Sequence, residues 1–281
     1  MLVTLREVTR FARAQHYAVP CFDTPTVETV FGALQAAEAL RAPVIIAHCY
    51  RFFGPIDVFG SFLTAAAQTA KVPVCVHLDH SITEEQIDRG LRGGYTGVMI
   101  DASEASYADN LATTKSIVAR CHPLGVSVEA ELGHVPDFDS METYDGYLYT
   151  SPEAAGDFVQ KTGADLLAVA VGTIHGPYRM EPKIRYDILE KIAGQVGTDC
   201  GLVVHGSSGI TDEDYRQCIA RGVVKFNIFT DYASAAFRYW RTHVPGRAPS
   251  YVEAVAGCVP VVQARCEKYL KLLGCQGKSW L

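Results

Sequence analysis

Val74-Cys75-Val76-His77-Leu78-Asp79-His80-Ser81 is an apolar, β-branched run that ends in a carboxylate and an imidazole. It reads as a buried strand that carries two titratable groups to its own C-terminal end. Ser81-Ile82-Thr83-Glu84 follows with the pattern of a capping box, so a helix is expected with Ser81 as N-cap and Glu84 at N3. The unit is therefore strand, reactive tip, helix.

The same grammar runs outward in both directions. Before it, Tyr17 to Phe22 and Val44 to Ala47 read as strands. Thr24 and Pro25 are placed to cap a helix reaching about Leu40, and a second helix is expected near Phe59 to Ala70. After it come a helix from about Thr83 to Gly93, the strand Gly97 to Ile100, a helix around Ala108 to His122 and the strand Ser127 to Leu132. Gly133 to Tyr149 is the longest irregular stretch, and Ser151-Pro152 opens a helix ending near Gly163. Leu166 to Val171, Gly201 to Val204 and Val223 to Phe226 complete eight strand and helix units. Continuous apolar strands alternating with helices imply parallel pairing with both faces covered. Eight such units in 281 residues favour one closed (β/α)8 TIM barrel of class α/β. A single domain over 1–281 is expected, with a short N-terminal helix within Thr4 to Gln15 lidding one barrel end and a helical C-terminal tail after Arg247.

Composition narrows the function. No apolar run approaches the roughly 20 residues of a membrane span, and the early acid Glu7 in an otherwise short apolar start does not match a secretory signal, so a cytoplasmic protein is expected. A formal charge of −6 with no Lys/Arg block argues against nucleic acid or an anionic membrane as partner. The nine cysteines are odd in number, scattered and free of Cys-x-x-Cys pairs, as expected of reduced, mostly buried thiols.

In such barrels the chemistry sits at the C-terminal strand ends. Asp79 and His80, Asp101, His175, His205 and Asn227 all fall there, with Glu129 and Glu131 on the fifth strand. Three imidazoles arriving from different strands match an open catalytic zinc site, which leaves one position for water or substrate. His16, His77, His122 and His243, taken singly, read as packed or surface residues, with His77 on the same strand face as Asp79. Gly206-Ser207-Ser208-Gly209 and Asn227-Ile228-Phe229-Thr230 follow the last two strands, where barrels of this kind commonly hold phosphate through backbone N–H groups.

His77-Leu78-Asp79-His80, Val98 to Asp101, Val128 to Gly133, Tyr149 to Glu153, Ala170 to Tyr178 and Val204 to Gly209 together resemble the class II, zinc-dependent ketose-bisphosphate aldolases, which include the fructose- and tagatose-bisphosphate enzymes of carbohydrate metabolism and glycolysis. The resemblance runs from about Tyr17 to the C-terminus. It implies a cytoplasmic lyase, dimeric or tetrameric, that cleaves or forms a ketose phosphate through the enediolate of dihydroxyacetone phosphate. It also implies His80, His175 and His205 as ligands of one Zn2+ and Asp79 as the acid/base. Gly176, Gly206, Ser207, Ser208, Asn227, Ile228, Phe229 and Thr230 would hold dihydroxyacetone phosphate. Asp101 and Glu131 match positions that hold a second cation in some members, or else orient the histidines.

The chain departs from the family at three places. Asp23 stands where an Asn is usual, Ala47-His48-Cys49-Tyr50-Arg51-Phe52-Phe53 replaces a Ser, small residue and Gly, and the loop after the fifth strand lacks its Gly-Gly pair. In that loop Asp139 and Glu142 are the candidates for moving the substrate C–H proton. The changes cluster where the aldehyde would sit, so an acceptor other than glyceraldehyde 3-phosphate, unphosphorylated or differently shaped, is expected, with a ketose 1-phosphate as the alternative substrate. A metal-dependent amidohydrolase would show His-x-His where Asp23-Thr24-Pro25 stands. A non-catalytic metal- and phosphate-binding homologue is the remaining alternative, against which Asp79 counts.

Overall fold

The computed structural model describes residues 1–52, 54–140, 143–144, 146–179, 181–243 and 250–281. Its strands are β1 (Leu2–Val3), β2 (Val19–Asp23), β3 (Val44–Cys49), β4 (Val74–Ser81), β5 (Gly97–Ile100), β6 (Ser127–Leu132), β7 (Leu166–Val169), β8 (Gly201–Val204) and β9 (Val223–Ile228). β2 to β9 pair in parallel with their sequence neighbours, and β9 returns to β2, closing an eight-stranded barrel. Each strand is buried along nearly its whole length, which is why the sequence shows apolar runs rather than alternation.

The intervening helices are α2 (Val27–Ala39), α3 (Ile56–Thr69), α4 (Glu84–Gly93), α5 (Tyr107–Cys121), α6 (Pro152–Thr162), α7 (Tyr186–Val196), α8 (Asp212–Ala220) and α9 (Thr230–His243). α1 (Leu5–Thr9) precedes them and α10 (Tyr251–Leu272) follows. The leading helix lies against one barrel end: Leu5, Val8 and Ala12 are buried, and the Arg6 amide donates to Ser127 Oγ at the start of β6. The C-terminal tail is pinned to the same end, with Ala18 N donating to Leu273 O and the Phe11 and Trp280 rings edge to face at 5.7 Å. All nine cysteines are unpaired and buried. Among the described residues no helix is long and apolar enough to cross a membrane.

Two expected caps are displaced. Ser81 is not an N-cap: it still belongs to β4, its carbonyl accepting from Asp101 N at 2.7 Å, and α4 is capped by Thr83 with Gln86 at N3. The strand outlasts the sequence estimate because β5 continues to bond it, and Thr83-x-x-Gln86 offers an equivalent box two residues on. Likewise Thr24 extends the β2 register, its amide and hydroxyl both donating to Ala47 O, and Thr26 takes the cap. β1, two residues pairing beside Val74 and Cys75, was not foreseen, being too short to show a period.

Candidate active site

The C-terminal mouth of the barrel opens into a cleft of about 630 Å³ lined by residues from β2, β3, β4, β9 and the loops after β5, β6, β7 and β8. Below it, the barrel interior is charged where such barrels normally carry apolar layers. Lys225, on β9 two residues before Asn227, is completely buried and donates to Glu129 at 2.8–2.9 Å and to Asn227 Oδ1 at 2.6 Å. With its oxygen committed to Lys225, Asn227 turns its amide to both oxygens of Asp79, at 3.0 and 3.1 Å. His77 Nε2 lies 3.4 Å from Asp79, so these two side chains share the lumen, as strand alternation requires.

By the same alternation His80 would leave the lumen. Instead its backbone adopts φ 50°, in the left-handed region, at the point where β4 loses register with β5. That turn swings the imidazole over the mouth, and such local strain in a non-glycine residue is a mark of functional sites. His80, His175 and His205 come together there with ring centroids 4.7–5.9 Å apart.

Each ring is addressed by a carboxylate. His80 Nδ1 is 2.8 Å from Asp101, His205 Nε2 is 2.8 Å from Glu129, and His175 Nδ1 is 3.7 Å from Asp137. With Asp101 and Glu129 accepting from the outer nitrogens of His80 and His205, their other nitrogens, Nε2 and Nδ1, face each other 2.9 Å apart, beside His175 Nε2, a buried atom with no partner. Burial opposes charge on His80, but Asp79 and Asp101 outweigh it and push its pKa up to about 10. Three converging imidazoles, two of them with an outer nitrogen held by a carboxylate, fit a divalent cation of the zinc type.

Asp101 is held by the amide and hydroxyl of Ser103, and Glu131 accepts from Val135 N while its second oxygen has no partner. Burial and the neighbouring Asp101 raise the Glu131 pKa to about 8. With His80 these two carboxylates form a second group able to hold a cation. Asp79 is buried, which alone would raise its pKa, yet His80, His77, His205 and Lys225 hold it well below the usual carboxylate range. It is an ionised carboxylate at the edge of the histidine cluster.

Gly176, Gly206, Ser208, Asn227, Phe229 and Thr230 line the cleft. Gly206 has φ 64°, and a Cβ there would collide with the Ile174 carbonyl. Ser207 and Ile228 lie beneath the lining, and Ser207 Oγ braces the two loops by donating to Asn227 O at 2.6 Å. Asp139 is exposed on the cleft wall, whereas Glu142 lies outside the described residues, as does Phe53.

Several partners escaped the sequence reading. Tyr178 OH accepts from Ile174 N and donates to Gly206 O, tying the His175 loop to the Gly206 loop. The long loop after β6 docks through Phe138 N to His175 O and His175 N to Pro136 O, both 2.8 Å, and Asp137 reaches Arg51 at 3.1 Å. Lys225 did leave a signal, a cation inside Val-Val-Lys-Phe-Asn-Ile in phase with Asn227.

The chain belongs to the class II fructose-bisphosphate aldolase family, whose sequence profile matches residues 3–278. It is similar in structure to the YdjI aldolase of Escherichia coli K12, with a TM-score of 0.89 at 33% identity over 99% of this chain and 100% of that one. The fructose-bisphosphate aldolase of Thermus caldophilus is 39% identical over 82% of this chain and 84% of its own. A probable fructose-bisphosphate aldolase of Bacillus subtilis is 34% identical over 89% of both.

Proposed function

We propose that the protein is a zinc-dependent aldolase that reversibly cleaves a ketose phosphate to dihydroxyacetone phosphate and an aldehyde. The observation that carries the reading is the trio of imidazole lone pairs from His80, His175 and His205, converging beside an ionised, buried Asp79. A divalent cation held there supplies positive charge where oxygen develops negative charge as the C–C bond breaks. Asp79 accepts the proton of the C4 hydroxyl during cleavage and returns it in condensation. The C3–C4 electron pair stays with C3, and a carboxylic acid of the β6–α6 loop then protonates that carbon. Asp139 is the described carboxylate of that loop placed on the cleft wall without an ion-pair partner in Arg51. The phosphate of the dihydroxyacetone half lies against Gly176, Gly206, Ser208 and the start of α9, where backbone N–H groups and the helix dipole favour an anion.

The test is metal content and aldol cleavage measured together. About one zinc per chain and cleavage that yields dihydroxyacetone phosphate are expected, with both lost in His205→Ala. A His205→Ala protein with full metal and full activity would refute the assignment.

A further inference from the structure

Three arcs of the mouth are distinguishable by what they carry. The histidines occupy the ends of β4 and β8 and the loop after β7, and the phosphate loops follow β8 and β9. The aldehyde half of the substrate, extending away from both with its hydroxyl at Asp79, is left the ends of β2 and β3 together with the overhanging β6–α6 loop. Asp23, Cys49, Arg51, Phe52 and Asp137 form that wall.

Its charge is one-sided. Among the described residues the cleft is lined by the acidic side chains of Asp23, Asp79, Asp101, Glu104, Asp137 and Asp139 against the single guanidinium of Arg51, with burial and the neighbouring Asp79 raising the Asp23 pKa well above the usual carboxylate range. Arg51 does turn toward the cleft, but its Nη1 lies 3.1 Å from Asp137 Oδ2 and its Nε donates to Tyr50 OH, so its charge is already matched. Asp23 is more than nine-tenths buried, and its Oδ1 has no hydrogen-bond partner although it lines the cleft. Phe52 leans on the Phe229 ring at 5.2 Å and presents carbon rather than a donor. A phosphate at the far end of the aldehyde would therefore meet an unpaired acceptor oxygen, carbon and an occupied arginine. An uncharged, hydroxylated aldehyde would offer a donor to the free Asp23 oxygen.

We infer that the aldehyde this enzyme accepts carries no phosphate, that its ketose substrate is a 1-phosphate rather than a 1,6-bisphosphate, and that Asp23 sets this preference. The inference rests on the aldolase reading above. It deepens that reading by naming the substrate class.

The zinc-loaded enzyme is offered dihydroxyacetone phosphate with each enantiomer of glyceraldehyde and, separately, of glyceraldehyde 3-phosphate. In the reverse direction it is offered fructose and tagatose 1-phosphates against their 1,6-bisphosphates. The kcat/KM of the better unphosphorylated partner should exceed that of its phosphorylated counterpart at least tenfold. Asp23→Asn should narrow that ratio at least threefold, because its side-chain amide can turn a donor into the cleft where the free Oδ1 offers only an acceptor. A ratio within one variant does not depend on how much of it folds. A preference for the phosphorylated partners overturns the inference while leaving the aldolase reading intact. A ratio unmoved by Asp23→Asn overturns the role given to Asp23, and no turnover of either class by the loaded enzyme overturns the aldolase reading itself.

Discussion

Lys225→Met tests whether the charged barrel interior is a cooperative unit. In the native protein the Lys225 ammonium touches both oxygens of Glu129, whose Oε1 also accepts from His205, while His77 stands 3.8 Å from Oε2. All four side chains are buried. Methionine matches the lysine stem in length, so packing is kept and the charge alone is removed. Breaking one side of a buried ion pair costs about 3–5 kcal/mol, because the other charge is left without solvent or partner. With a urea dependence of about 3 kcal/mol per molar, the unfolding midpoint should fall by roughly 1–1.7 M. The chelated protein is the right sample, since bound metal would add its own stabilisation. The double variant Lys225→Met/Glu129→Gln removes the stranded carboxylate while keeping an acceptor for His205. It should be more stable than Lys225→Met alone by at least 1 kcal/mol. A single variant within 1 kcal/mol of native, or a double variant whose losses simply add, would show that the pair is not coupled as its geometry implies.

Asp79→Ala should retain zinc and lower kcat by roughly 10²–10⁴, measured by metal analysis and steady-state cleavage, and a near-native kcat would move the proton transfer elsewhere. Gly206→Ala forces a Cβ into the Ile174 carbonyl at a left-handed backbone position, so the phosphate loop must shift; KM for the phosphorylated substrate should rise about tenfold, and an unchanged KM would remove that loop from the phosphate site. His48 is buried against Phe59 with neither nitrogen partnered, and burial lowers its pKa to about 4. Between pH 6.5 and 4 the unfolded chain therefore binds the proton and the folded one does not, so stability falls as the pH falls, by about 1.4 kcal/mol per unit and roughly 3 kcal/mol in all. His48→Leu should flatten that decline in denaturant titrations at pH 4 to 7, and parallel declines in the two proteins would refute the cause.

Much of the site was legible in the sequence because its signals are local. An apolar strand that ends in Asp79-His80, and the His-Gly pairs at 175 and 205, can be recognised from their immediate neighbours, and eight repetitions of strand and helix imply a barrel. The family motifs point to the same residues as the proposed ligands and base. Boundaries were less secure: Ser81 and Thr24 each have the chemistry of a cap, yet pairing that the local sequence does not show kept Ser81 in β4 and tied Thr24, just past β2, to the β3 carbonyl of Ala47.

Only the closed barrel decided the rest. His80 reaches the mouth because its backbone takes φ 50° where β4 and β5 fall out of register, a reversal of the face that simple alternation assigns. Glu129 and Lys225 are 96 residues apart, and Asp79 and Asn227 are 148 apart, so no local pattern can pair them. Arg51 and Asp137, 86 residues apart, are matched only because the β6–α6 loop crosses the mouth. The period of a strand and the preferences of a cap are set by residues within one or two turns of chain. Which charge neutralises which is set by the pairing of β9 with β2, which closes the sheet and makes the lumen a shared interior.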